Sequence, residues 1–263
     1  MTAAPRAGWL RAGRRRLAGV IAAAVAAFPA IEPLFVRAGR AGSRRSRLLA
    51  GLYWFIQESL IARLRRRGER FRVVQLFDWR LQLDITDESG RLPYFYRTPF
   101  KAGVCDAIVT ALRSGDVFLD LGAGIGYFSV LAARVVGARG RVLALESDES
   151  RRDALETLVQ RNEAADRVEV PGDAAAALPA IDVWLAATPA LAARIRCVRM
   201  DAAGDEARLL AGMRTLLAAP HLTIVCATTA GGAADVALVR AGFQRRRIEP
   251  GVSPSADFLY VRP

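Results

Sequence analysis

From about Gly103 to the C-terminus, stretches typical of β-strands alternate with stretches typical of amphipathic helices. The candidate strands are DVFLDL, RVLALE, RVEVPGD, RCVRMD, LTIVCAT and DFLYVR. Helical patterns lie between them, for example YFSVLAARVVG, SRRDALETLVQRNEA, DEARLLAGMRTLLA and AADVALVRAGF. This order predicts an α/β domain with a mostly parallel sheet and helices on both faces. Ligands of such sheets bind beyond the carboxyl ends of the strands.

A glycine-rich loop follows the first candidate strand of this sheet. Gly122, Gly124 and Gly126 allow positive φ angles and leave no Cβ between the backbone and a ligand. The dinucleotide fingerprint G-x-G-x-x-G would need glycine at the position of Tyr127. The spacing is D-x-G-x-G-x-G instead, and the carboxylate of Asp120 is poorly suited to receive a pyrophosphate. We therefore expect a cationic ligand, and S-adenosylmethionine offers both a sulfonium and an ammonium group.

Two more acids end the next strands of the predicted sheet. Glu146 closes the second strand, where a side chain can accept hydrogen bonds from both ribose hydroxyls. Asp173 closes the third strand and could accept a hydrogen bond from the adenine amino group. The expected cofactor-binding residues are therefore Asp120, Gly122, Gly124, Gly126, Glu146 and Asp173.

The residues around this loop resemble a known family. The stretch FLDLGAGIGYFSVLAARVVGARGRVLALESDESRRDALETLVQRN is similar to the cofactor half of class I methyltransferases, and specifically of the FkbM-type family. VRMDAAGDEARLLAGMRTLL resembles the family's KIDVEGAE…VLKGA…LL block, and LQLDITDESG with YFYRTPFKAGVCDAI resembles its first strands and pre-sheet helix. The resemblance runs from about Phe71 to the C-terminus. It implies a Rossmann-like fold, S-adenosyl-L-methionine as cofactor, and methylation of a hydroxyl on a small molecule or glycan precursor.

The departures from the family pattern lie on the substrate side. Asp201, Gly204 and Glu206 match the family block, but Ala203 stands where its first glutamate usually lies. Asp201, at the carboxyl end of the fourth strand, is the expected catalytic residue, which would hold the acceptor hydroxyl or accept its proton. Glu206 suits the N-terminus of the following helix. Ala203 leaves a second hypothesis open, a divergent cofactor-binding protein with little or no turnover.

The N-terminal segment carries almost all the net charge of the chain. Residues 1–72 hold 16 arginines and three glutamates, a balance of +13 within a total of +12. Such a segment can favour nucleic acid, anionic lipid or solubility. It favours RNA methylation as a third hypothesis, but the regular aromatic interleaving of single-strand binders is missing. With a nearly neutral body, we expect no nucleic acid partner.

The same segment contains two apolar stretches, LAGVIAAAVAAFPAI at 17–31 and a candidate helix at 51–67. The first is shorter than the roughly 20 residues a membrane span needs, so a signal peptide, an anchor and an interfacial helix stay open. We expect a cytoplasmic protein with peripheral contact to anionic membrane through residues 1–72. The predicted division is a helical segment over 1–70 and a methyltransferase domain over 71–263, beginning with a β-hairpin over 71–100.

Cys105, Cys197 and Cys226 are far apart and form no C-x-x-C pair. This spacing predicts buried thiols and neither a disulfide framework nor a metal site. His221, the only histidine, follows Pro220 at the start of a candidate strand, the end opposite to where ligands bind. We therefore expect it to have no role in catalysis.

Overall fold

The structure is a computed structural model that describes residues 5–172, 178–249 and 253–263. The chain forms two compact units, Met1–Phe100 and Lys101–Pro263. The hairpin belongs to the first of these units. The predicted domain boundary between residues 70 and 71 stays a prediction. The hairpin groups with the N-terminal helices because the helix that follows it, Glu88–Tyr96, packs on both of its strands and on the helix Glu32–Arg45.

Three helices open the first unit: α1 (Pro5–Ala27), α2 (Glu32–Arg45) and α3 (Arg47–Arg67), with a 3₁₀ turn at Pro29–Ile31. Ser46 begins α3 by accepting a hydrogen bond from the Leu48 N–H, and Gly68 ends it at φ 73°. A left-handed glycine in this position is a common helix stop. In the described chain no single helix is both long and apolar enough to cross a membrane; only the bent pair Arg15–Ala27 and Pro29–Arg45 meets that test together.

Close packing around Tyr53 and the buried carboxylate of Glu32 hold the elements of the first unit together. The Tyr53 ring occupies the space that a Cβ at Gly39 would enter, and the Tyr53 hydroxyl donates to the carbonyls of Val36 or Phe95, each 3.2 Å away. Glu32, 3% exposed, accepts two hydrogen bonds of 2.8 Å from the Arg72 guanidinium. Such a forked, charge-assisted pair is among the stronger polar contacts in proteins.

The hairpin consists of β1 (Phe71–Leu76) and β2 (Trp79–Asp84), paired antiparallel. The hairpin is shorter than the predicted range 71–100, because most of the sequence DESGRLPYFYR forms α4 (Glu88–Tyr96). Asp87 explains the difference, because its carboxylate accepts a 2.8 Å hydrogen bond from the Ser89 N–H and caps a new helix. The sequence DESG is therefore a helix start and not a hairpin turn.

The second unit contains a seven-stranded sheet in the order β5-β4-β3-β6-β7-β9-β8. Its strands are β3 (Val117–Leu121), β4 (Arg141–Leu145), β5 (Val168–Glu169), β6 (Ile195–Met200), β7 (Thr223–Thr229), β8 (Gln244–Arg247) and β9 (Ser255–Val261). The first five run parallel, and β9 pairs antiparallel with both β7 and β8. All five residues of β3 are buried, which places this strand in the centre of the sheet.

Helices surround this sheet and confirm the predicted alternation. They are α5 (Ala102–Ala111), α6 (Tyr127–Val136), α7 (Glu149–Arg161), α8 (Ile181–Ala186), α9 (Pro189–Ala192), α10 (Glu206–Ala211), α11 (Arg214–Leu217) and α12 (Ala233–Arg240), with a 3₁₀ turn at Leu178–Ala180. One expected long helix, DEARLLAGMRTLLA, is two short ones, α10 and α11. The three cysteines are buried, as expected, and burial raises the pKa of Cys105 to about 11.

Candidate functional site

The glycine loop lies between β3 and α6, with all three glycines in the left-handed region. Their φ angles are 76° at Gly122, 59° at Gly124 and 91° at Gly126. A Cβ on Gly122 would lie 2.2 Å from the Asp201 carbonyl oxygen, whereas a Cβ on Gly124 would meet nothing within 4 Å. Gly122 is therefore required where two strand ends approach each other, and Gly124 leaves open space above the loop.

Glu146 holds the glycine loop through its carboxylate. It stands immediately after β4 and is 4% exposed. One carboxylate oxygen accepts a 2.7 Å hydrogen bond from the Gly124 N–H, and the other accepts a 3.0 Å hydrogen bond from the Asp148 N–H. An ionised carboxylate has about four lone-pair positions. Glu146 can therefore fix the loop and still accept hydrogen bonds from a ligand.

Asp120 is completely buried, with both carboxylate oxygens engaged inside the protein. One accepts a 2.6 Å hydrogen bond from the Ser129 hydroxyl, and the other accepts a 2.7 Å hydrogen bond from Arg199. The same guanidinium donates to Asp201 at 2.9 Å and stacks over the Phe128 ring at 4.5 Å. Arg199 therefore links the end of β3 to the end of β6.

The electrostatics of Arg199 follow from this enclosure. Burial acts to lower its pKa, but the carboxylates of Asp120 and Asp201 outweigh burial and raise the pKa above its usual value. Sequence reasoning missed this residue, although an arginine inside the apolar strand RCVRMD is a usable signal. A charge in a buried strand requires a partner of opposite sign.

Asp201 also contacts a second cation. Lys101 lies 3.4 Å from the Asp201 carboxylate and 3.1 Å from the Asp257 carboxylate. Asp257 belongs to β9, whose register opposite Ala227 brings it to the carboxyl end of β7. The sequence pattern indicated a mostly parallel sheet, in which the start of a strand lies at the edge opposite to the site. It therefore gave no reason to expect Asp257 beside Asp201. Lys101, at φ 44° before α5, carried no sequence signal.

The loop after Asp201 is held by Glu206. The Glu206 carboxylate, 6% exposed, accepts hydrogen bonds from the N–H groups of Ala202 at 2.9 Å and Gly204 at 3.1 Å. Glu206 also begins α10, the position expected from the sequence. Ala203, which replaces the family glutamate, adopts φ 52° at the tip of this loop.

Two cavities meet at Asp201 and Ala203. The first, called here the glycine-loop cavity, has a volume of about 230 Å³ and is lined by Gly122, Glu146, Ser147, Arg151, Leu178, Asp201, Ala202, Ala203, Asp205, Arg208 and Leu209. The second, the Lys101 cavity, has about 470 Å³ and is lined by Lys101, Asp201, Ala203, Gly204, Glu206, Ala207, Ala227, Thr228, Thr229, Gly232, Ala233, Ala234, Ser255, Ala256 and Asp257. Asp201 is therefore accessible from both sides.

The structure brings most of the predicted site residues together at one edge of the sheet. Asp173 lies outside the described residues. His221 is exposed and precedes β7, at the opposite end of that strand. Within the described chain, no group of three His, Cys, Asp or Glu side chains could hold a metal ion.

Comparisons with known proteins give similarities of fold. No family model matches the sequence, and no curated protein matches it. A solved structure described as a candidate rRNA methylase from Clostridium thermocellum has 14% identity and a TM-score of 0.48, over 60% of this chain and 92% of that one. Fibrillarin from Aeropyrum pernix, with natively bound S-adenosyl-L-methionine, has 16% identity and a TM-score of 0.44, over 73% and 82%. The M. jannaschii tRNA m1G37 methyltransferase has 13% identity and a TM-score of 0.44, over 73% and 53%.

The strand order and the position of the glycine loop define the class I methyltransferase fold. The loop follows the central strand β3, and the antiparallel β9 lies between β7 and β8. The narrower FkbM-type resemblance stays a prediction. The expectation that nucleic acid is not a partner is contradicted, because proteins named as rRNA and tRNA methyltransferases are among those similar in structure.

Proposed function

We propose that this protein is an S-adenosylmethionine-dependent methyltransferase that methylates a hydroxyl group on a small molecule or glycan precursor. The observation that carries the proposal is the meeting of the two cavities at Asp201, at the carboxyl ends of the parallel strands. A ligand in the glycine-loop cavity and a second ligand in the Lys101 cavity would face each other across this residue. A cytoplasmic location follows from the cofactor supply that this activity needs.

The residues of the glycine-loop cavity fit a nucleoside that carries a cationic group. Gly124 leaves the backbone open to a ligand, and the buried carboxylate of Glu146 can accept hydrogen bonds from ribose hydroxyls. Asp205 supplies negative charge on the wall for a sulfonium, while Arg151 and Arg208 can pair with the carboxylate of a methionine chain. Asp120 contributes indirectly, because its buried carboxylate holds Arg199.

The chain's own residues would orient the acceptor and receive its proton. When bound, S-adenosylmethionine supplies an electrophilic methyl group on a sulfur that leaves readily. Asp201 would accept a hydrogen bond from the acceptor hydroxyl in the Lys101 cavity, and would take the proton that this hydroxyl loses when it is methylated. Arg199 and Lys101 fix the Asp201 carboxylate from two directions. Catalysis would rest mainly on this orientation of the acceptor.

Calorimetric titration of the full chain with S-adenosylmethionine and its demethylated product tests cofactor binding. We expect Glu146→Gln to weaken binding by about 1–3 kcal/mol, because the ribose hydroxyls lose a charged acceptor. Glu149→Gln is the matched control, since Glu149 is an exposed residue at the start of α7. Undetectable binding at millimolar cofactor would refute the proposal.

A second candidate function is cofactor binding with little or no turnover. Ala203 favours this function, because it lines both cavities. At this position the FkbM-type family, which the sequence resembles, usually has a glutamate. A panel of hydroxylated compounds and RNA, assayed for release of demethylated cofactor, separates the two functions. If the parent protein binds the cofactor without turnover and Ala203→Glu gains turnover, the second function is the correct one.

A further inference from the structure

The first unit contains a cavity lined by four arginines. It has a volume of about 630 Å³, and its lining includes Arg37, Arg40, Arg44 and Arg97. The remaining lining residues, Pro33, Leu34 and Ala41, are uncharged. No acid contributes to the described lining, so the cavity wall carries four positive charges.

The arginines converge because of their positions on two helices. Arg37, Arg40 and Arg44 follow one another at intervals of three and four residues on α2, which places them on one face of that helix. Arg97 is the left-handed residue that ends α4, with φ 56°. The positive groups therefore approach the cavity from a helix face and from a helix end.

These charges are not balanced by carboxylates. Among the described residues, none of the four guanidinium groups forms an ion pair, and Arg40 donates only to the Val36 carbonyl of its own helix, at 3.3 Å. Glu32, the one acid on α2, is already engaged by Arg72 and Tyr94. Partial burial, followed by the charge of Arg97, lowers the pKa of Arg40. Like charges at this spacing destabilise a helix. An anion bound in the cavity would therefore reduce the repulsion between the arginines.

We propose that the Arg37–Arg40–Arg44–Arg97 cavity binds a phosphate ester. A phosphate carries up to two negative charges and enough oxygens to accept from several guanidinium groups, whereas a carboxylate matches one fork. The apolar lining at Pro33, Leu34 and Ala41 leaves room for the organic part of the ester. A soluble phosphate ester and a phospholipid headgroup share this chemistry.

The test titrates glycerol 3-phosphate, a soluble phosphate ester, into the full-length protein by calorimetry, at an ionic strength kept constant with potassium chloride. Arg37→Gln, Arg40→Gln, Arg44→Gln and Arg97→Gln should each weaken binding at least fivefold. Arg45→Gln and Arg66→Gln are matched controls, because both residues are exposed arginines outside the cavity lining. These should change affinity less than twofold. Arg37, Arg44 and Arg97 are exposed, so their variants test the cavity even if the Arg40 variant fails to fold.

Co-sedimentation with phosphatidylglycerol vesicles, against phosphatidylcholine vesicles, identifies the source of the phosphate. Glycerol 3-phosphate binding that the four lining variants weaken supports the cavity as a site for soluble esters. Vesicle binding alone, with the same pattern among the variants, supports it as a headgroup site. Equal losses in lining and control variants, or no binding in either assay, would overturn the proposal.

Discussion

Arg199 joins the cofactor side of the candidate site to its acceptor side. Its guanidinium binds a fully buried carboxylate on β3 and a partly exposed one after β6. Loss of one member of a buried ion pair leaves the other charge without compensation. We therefore expect Arg199→Met to lower the free energy of unfolding by about 3–5 kcal/mol, measured by urea denaturation.

Arg196→Met is the control for this substitution. Arg196 lies on the same strand, but its guanidinium donates only to backbone carbonyls. If the cause is the buried charge of Asp120, then Asp120→Leu combined with Arg199→Met should be less destabilising than the sum of the two single variants. Additive losses would show that the destabilisation does not come from an uncompensated charge on Asp120.

Asp201 is the residue whose substitution should separate chemistry from binding. We expect Asp201→Asn to lower kcat more than tenfold, a loss above about 1.4 kcal/mol of transition-state stabilisation, because the amide cannot take the acceptor proton. Cofactor affinity should change little. Steady-state kinetics on an acceptor from the panel measures the first quantity and calorimetry the second. The control is Asp153→Asn, because Asp153 is an exposed residue on α7. If the Asp201 variant and the parent have equal kcat values, Asp201 has no part in the mechanism.

The glycine loop offers a matched comparison at the scale of elements. Gly122 and Gly124 both have positive φ, but only a Cβ on Gly122 would collide with the loop after β6. Gly124→Ala should cost about 1–2 kcal/mol, the usual strain of a left-handed alanine. Gly122→Ala should cost more and should also abolish cofactor binding, since β3 and β6 must separate at the site. Thermal denaturation and calorimetry measure the two effects, and equal destabilisation of the two variants would refute this explanation.

Asp235 ties α12 to the two antiparallel strands. It accepts hydrogen bonds from the Gly231 N–H at 2.6 Å, from the Tyr260 hydroxyl at 2.8 Å, and from Arg245. Burial acts to raise the pKa of Asp235, but these three donors outweigh burial and lower it below its usual value. A lowered pKa means that the ionised form stabilises the folded state above the unfolded pKa of about 4, and that this stability is lost as pH falls through the folded pKa.

We therefore expect Asp235→Asn to reduce stability at pH 7, and the difference from the parent to shrink as the pH falls below about 4. Urea denaturation across pH 2–7 would show this, where both proteins remain soluble. Asp153→Asn should leave the pH profile unchanged, because Asp153 is exposed on α7. A stability difference that stays constant with pH would exclude ionisation of Asp235 as the cause.

The elements that sequence reasoning found are those in which local pattern and tertiary structure agree. Buried apolar runs such as β3 and β4 and amphipathic helices such as α7 carry a pattern that the sequence alone shows. The strand β8, with the sequence QRRR, carries none, because it is an edge strand that pairs with β9 alone. α4 was missed because its start depends on the Asp87 cap. Asp257 was missed because only the antiparallel register of β9 brings it to the site.

At the scale of the whole molecule, the charge and the candidate chemistry lie in different units. Residues 1–72, with a balance of +13, belong to the first unit, whereas the glycine loop, Asp201 and Asp257 belong to the second. Composition indicated this division, because the remaining residues are nearly neutral. Composition did not indicate what the positive charge binds. The net charge of a segment does not show that four of its arginines line one cavity, which only the structure reveals.

This division predicts where cofactor binding stabilises the chain. A ligand that binds only the folded state, at 100 times its dissociation constant, adds about 2.7 kcal/mol to the stability of the unit that holds it. Hydrogen exchange of the full chain with saturating S-adenosylmethionine should therefore slow at the amides of the glycine loop, β4 and the loop after β6. Amides of α1, α2 and α3 should exchange as before. The Glu146→Gln variant at the same cofactor concentration should lose at least about a third of this protection, since its affinity is expected to fall by about 1–3 kcal/mol. Slowing spread evenly over both units would show that cofactor binding is not confined to the sheet.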